Sequence, residues 1–136
     1  MATLACDRRR ETTHDHVVHV VAKRFAEPGR YVVRAGATRG RRLRDEAPPP
    51  MPDIAGSRGA DRAAPIEWLA EVETEDTLTE AQAAGRWRQS AALHVPMYLI
   101  VPKGSRQTAW KLAFRAGVAV QHVFEYTLEE QSVELS

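Results

Sequence analysis

Three acidic residues stand out by type and spacing: Asp53, which follows a proline, and Glu71 and Glu73, an E-x-E pair beginning 18 positions on. Carboxylates set two apart on a strand share a face at about 3.3 Å of rise per residue. Like charges that close repel unless solvent or a cation compensates them. A hard divalent ion such as Mg²⁺ is a natural partner, because it takes oxygen donors and commonly uses one or two carboxylates. If the stretch around Asp53 pairs beside the E-x-E strand, Asp53 becomes a third donor. The plainer alternative is that Glu71 and Glu73 lie on a solvated face or in ordinary ion pairs.

The basic candidates are of a different kind. Arg39, Arg41, Arg42 and Arg44 form the densest cationic cluster, in a segment rich in glycine and proline. Such a loop suits the backbone of a nucleic acid, since each neutralised phosphate adds salt-dependent affinity; it equally suits a solvated insertion. Gln82, Arg86 and Gln89 fall at i, i+4 and i+7, one face of a helix. Arg86 is a candidate phosphate contact, and Lys103 a candidate cation just past an apolar strand; a plain exposed helix face and a loop lysine are the alternatives. His14, His16 and His19 do not share one helix face, and no H-E-x-x-H pattern is present, so they read as surface or helix-end residues. No aromatic-rich stacking platform, helix-turn-helix or zinc-finger pattern is evident.

The elements that would position these groups can be read from periodicity. Residues 1–12 read as a disordered basic N-terminus, and 13–136 as one domain. Val17, Val18, Val21 and Phe25 mark a helix over 14–25, with Thr12 or Thr13 as its cap and Pro28-Gly29 as its stop. Tyr31-Val32-Val33 is a short strand, residues 36–51 an Arg/Pro-rich loop, and Pro52-Asp53-Ile54 a second short strand. A further loop over 55–65 leads to Ile66–Glu73, the best central strand. Thr79 and Gln82 have capping-box spacing. Pro96–Val101 is a continuous apolar run, as a strand covered on both faces should be. Ser105 and Gly117 bracket another helix, and Val118–Leu128 supplies a last strand. The resulting order is α-β-β-β-α-β-α-β, an α/β chain with a mixed central sheet flanked by helices.

Pro52-Asp53 followed by Glu71-Val72-Glu73, set in that order of elements, resembles the PD-(D/E)XK signature of the restriction-endonuclease-like nuclease superfamily. The segments AEVETEDT, RW and PMYLIVPKG also look like those of a family of small uncharacterised prokaryotic proteins assigned to this fold. The resemblance implies a domain hydrolysing phosphodiester bonds in DNA, or RNA, with Asp53, Glu71 and Glu73 as catalytic and metal residues and Mg²⁺ or Mn²⁺ as cofactor. The third signature position is normally Lys and here is Glu73. Some restriction enzymes carry Glu there, whereas a catalytically degenerate nucleic-acid-binding or protein-interaction domain of the same fold would look the same. Arg39, Arg41, Arg42, Arg86 and Lys103 are the residues such a domain would set against nucleic acid, and a homodimer is expected.

Composition narrows the remaining classes. A chain of 136 residues with 43% hydrophobic residues can bury one core. Residues 1–62 hold 13 Lys/Arg against 8 Asp/Glu, a balance of +5, and residues 63–136 hold 6 against 10, a balance of −4, which together give the net +1. A basic half beside an acidic half suits a polyanionic partner. One cysteine, Cys6, excludes an internal disulfide and a cysteine-based zinc site. Neither a secretory signal nor a membrane span is legible, so the domain is expected to be cytoplasmic.

Overall fold

A computed structural model describes residues 2–26, 31–35, 52–59, 64–129 and 132–136. Their elements are helix α1 (Ala2–Ala26), strands β1 (Val32–Ala35), β2 (Ile54–Ser57) and β3 (Trp68–Val72), a helix built of three consecutive segments, strand β4 (Met97–Pro102), helix α4 (Arg106–Ala116), and strands β5 (His122–Glu129) and β6 (Ser132–Leu135). The segmented helix comprises α2 (Glu80–Gln82), a π-helical turn (Ala83–Trp87) and α3 (Arg88–Ala91). Among the described residues this is a mixed α/β fold with one six-stranded sheet in the order β1-β2-β3-β4-β5-β6. The β1–β2, β2–β3 and β5–β6 pairs are antiparallel, and β3–β4 and β4–β5 are parallel. A parallel pair needs a crossover, and the segmented helix and α4 are the two crossovers.

The pleat sorts each central strand between two cores. Leu69, Met97, Leu99, Val101 and Val123 pack with Ala83 and Trp87 and with Ala109, Leu112 and Ala113 of α4. Ala70, Val72 and Ile100 face the other way, against Val17, Val18, Val21 and Ala22 of α1. Strand β4 therefore contributes to both clusters, which is why 96–101 reads as unbroken apolar sequence. Among the described residues, no helix is long and apolar enough to cross a membrane.

Several boundaries differ from expectation. Helix α1 begins at Ala2, so residues 2–12 have helical backbone where disorder was expected, and Thr12 and Thr13 lie inside the helix instead of capping it. Residues 1–26 contain no glycine or proline, and a helix nucleated by its packed stripe propagates until something stops it. The loop 36–51, with Arg39, Arg41 and Arg42, lies outside the described residues. Strand β2 starts at Ile54, leaving Asp53 just ahead of it, and takes in Ala55, Gly56 and Ser57, which had read as loop. Strand β6 was not anticipated.

Gly56 explains the second of these changes. It sits opposite Trp68 in the β2–β3 register, and a Cβ there would overlap the Trp68 indole ring. That ring meets Phe25, Tyr31 and Tyr98 edge-on. A strand position that reads as loop is thus required to be bare by the aromatic ring lying across it. Gly56→Ala is expected to cost about 1–3 kcal/mol from overpacking, measurable as a lowered urea midpoint. A change within about 0.5 kcal/mol, the range of a neutral surface substitution, would contradict this packing.

Candidate functional site: a buried carboxylate–arginine centre

The three acidic candidates are all buried: Asp53 at 2% exposure, Glu71 and Glu73 at 0%. Ladder pairing between β2 and β3 reaches Ile54 opposite Ala70. Beyond it the Asp53 side chain takes over, with Oδ2 accepting from the Val72 backbone N–H at 2.9 Å. The Asp53 N–H points at Glu71 Oε2 at 3.4 Å. Start of β2 and end of β3 are thereby fastened side by side, and Asp53 and Glu71 converge.

Arg86 lies between them. Its Nε donates to Glu71 Oε1 at 2.7 Å and its Nη2 to Asp53 Oδ1 at 3.0 Å. A planar guanidinium suits two acceptors held apart in one plane. Two buried carboxylates at one point demand positive charge, and here the chain supplies it. Offered by the sequence as a phosphate contact, Arg86 is engaged internally, with its side chain 14% exposed.

Glu73 occupies an adjoining nest. Thr77 Oγ1 donates to Oε1 and Trp87 Nε1 to Oε2, both at 2.7 Å, and Gln82 Nε2 lies 3.3 Å from each oxygen. Thr79 caps the helix by accepting from the Gln82 N–H at 3.2 Å, while the Gln82 side chain reaches Glu73. Gln82, Arg86 and Ser90 follow at i, i+4 and i+8 across the π-helical turn, and all three side chains turn toward Glu71 or Glu73. Ser90, buried, directs Oγ to Glu71 Oε2 at 3.4 Å. Gln89, grouped with Gln82 and Arg86 on a regular helical wheel, is exposed.

Two contributors were missed. His14 is 7% exposed and its Nε2 lies 3.3 Å from Asp53 Oδ2, so it is neither a surface nor a helix-end histidine. The signal was available, since His14, Val18, Val21 and Phe25 continue one helical stripe. Tyr126, on β5, donates its hydroxyl to the Glu73 carbonyl at 3.0 Å. Burial, then the nearby charges of Glu75 and Glu73, push this phenol from 10.0 up to about 12. Its neutral form is therefore favoured in the fold, and the stability this contributes is intact below pH 10 and is lost as pH rises toward about 12. Tyr126→Phe is expected to cost about 0.5–1.5 kcal/mol at neutral pH and to flatten that alkaline decline, as pH-dependent urea unfolding would record.

Lys103 is exposed in the turn after β4 and lines a cleft of about 410 Å³ with Thr74, Glu75, Asp76 and Tyr126. Asp53, Glu71 and Arg86 are not among the residues that line this cleft.

The donor chemistry of Asp53 and Glu71 is that of a Mg²⁺ site, and the positive charge set between them is the Arg86 guanidinium. Each of their four oxygens faces a polar partner within the chain. Glu73 points both oxygens at helix and loop donors. Among the described residues no group of three or more His, Cys, Asp or Glu side chains is arranged to hold a metal. Comparison with protein-family models, curated proteins and solved structures finds no match for the chain.

Proposed function

We propose that this chain is a restriction-endonuclease-like domain whose carboxylate centre is closed by its own arginine, and that it binds nucleic acid in the cytoplasm without cleaving it. The observation that carries the reading is the Arg86 fork on Asp53 and Glu71. Glu73, held by Trp87, Thr77 and Gln82, serves this centre as a structural acceptor in the position where the superfamily signature has lysine. Support for a polyanionic partner comes from the +5 balance of residues 1–62, with Arg39, Arg41 and Arg42 among its charges. Supercoiled plasmid incubated with Mg²⁺ or Mn²⁺ tests it. The expected result is salt-sensitive retardation with no nicking, identical for wild type and Asp53→Ala. Nicking abolished by Asp53→Ala and Glu71→Ala would overturn it.

A second reading, a Mg²⁺- or Mn²⁺-dependent nuclease hydrolysing phosphodiester bonds in DNA or RNA as a homodimer, is favoured by one observation. Asp53 and Glu71, from two stretches of chain, come within reach of a single shared cationic group. On this reading Arg86 must leave before a metal enters, and the same plasmid assay decides between the two.

A further inference from the structure

Helix α4 carries a face that the carboxylate centre does not use. Its inner side buries Ala109, Leu112 and Ala113 against the sheet. Two aromatic residues lie on the outer side: Trp110 is 40% exposed and Phe114 is 87% exposed. At i, i+4 they are neighbours, with Cβ atoms about 5–6 Å apart. Single exposed apolar residues are ordinary on a protein surface. This pair is set apart by its charge surroundings: residues 103–117 contain Lys103, Arg106, Lys111 and Arg115 and no Asp or Glu, within a half of the chain whose balance is −4. On a helical wheel Trp110, Phe114, Gln107, Lys111 and Arg115 follow one another around the exposed arc. Among the described residues Arg115 pairs with Glu80 at 3.0 Å, a solvent-exposed contact that a phosphate can replace. Arg106 is tied back to the Val123 and Ser136 carbonyls and belongs to the frame.

We infer that this face binds single-stranded nucleic acid, with bases stacked on Trp110 and Phe114 and phosphates against Lys111 and Arg115. Aromatic rings beside a basic track are the means by which proteins hold single strands without reading sequence. A duplex keeps its bases stacked and offers the rings nothing to stack on. A second copy docked on the same face about a two-fold axis would set Lys111 and Arg115 against their own counterparts, and like charges repel. The inference rests on the nucleic-acid reading above but places the contact away from the carboxylate centre.

Fluorescence anisotropy of labelled dT20 at low salt, in EDTA, tests it on the full chain. Wild type should bind dT20 more tightly than a duplex of equal length. Trp110→Ala and Phe114→Ala should each weaken dT20 binding by roughly 5- to 150-fold. Lys111→Ala and Arg115→Ala should each lower the salt slope by about 0.7. All four positions are exposed, and far-ultraviolet circular dichroism checks that each variant folds. No dT20 binding, binding indifferent to both aromatic substitutions, or a preference for anionic phospholipid vesicles would overturn the inference. So would a dimer that Phe114→Ala dissociates while dT20 binding is unchanged. Plasmid nicking would defeat the non-cleaving reading and leave this one standing; salt-sensitive plasmid retardation without nicking, together with dT20 binding that ignores Trp110→Ala and Phe114→Ala, would do the reverse.

Discussion

Replacing Arg86 with alanine is expected to destabilise the domain by about 3–5 kcal/mol, because it leaves two buried carboxylates without the charge lying between them. A domain of this size has about 5–15 kcal/mol in all, so the variant should unfold at a much lower urea concentration. The magnitude follows from geometry. Asp53 and Glu71 have side chains 1% and 0% exposed, and water cannot take over the role of the guanidinium without opening the junction of β2 and β3. Arg86→Lys should recover little, since an ammonium is a point donor and cannot span both acceptors in one plane. Asp53→Asn with Glu71→Gln, added to Arg86→Met, should recover much of the loss by removing the stranded charges. A loss below about 1 kcal/mol for Arg86→Ala, the range of an exposed ion pair, would mean that the guanidinium does not hold this centre together.

Trp87→Ala is expected to cost a similar amount, about 3–5 kcal/mol. The indole is fully buried among Leu69, Met97 and Leu99 on the sheet and Ala109 and Leu112 on α4. It also donates to Glu73 Oε2 at 2.7 Å. Trp87→Phe separates the two contributions. It keeps most of the apolar volume and deletes the donor, leaving a buried carboxylate oxygen one hydrogen bond short, at a cost of about 1–3 kcal/mol. Circular dichroism against urea measures both variants without relying on tryptophan emission. Equal stability of Trp87→Phe and wild type would show that Glu73 is satisfied without the indole.

The sequence makes some of this arrangement legible and leaves some of it hidden, for physical reasons. Period-2 alternation around Glu71 and the two-sided apolar run of β4 are local signals, and they identify a mixed α/β fold and the strand that carries the acidic pair. The Thr79 cap is equally local. The partners of the acids are not local. Arg86 reaches Glu71 from 15 positions away and Asp53 from 33, separations over which helical periodicity carries no signal. His14 reaches Asp53 from 39 positions away. Gly56 and Ser57 have poor strand propensity, and only the Trp68 ring lying across Gly56 shows why a strand runs there. The exposure of Trp110 and Phe114 became visible only when Ala109, Leu112 and Ala113 fixed which side of α4 faces the sheet.

The position between Asp53 and Glu71 is the central matter, and a Mn²⁺ titration followed by electron paramagnetic resonance addresses it directly. Wild type should show no saturable site that Asp53→Asn removes, because Arg86 already supplies the positive charge. One Mn²⁺ per chain, bound by wild type and lost in Asp53→Asn, would contradict that account and return the centre to a metal.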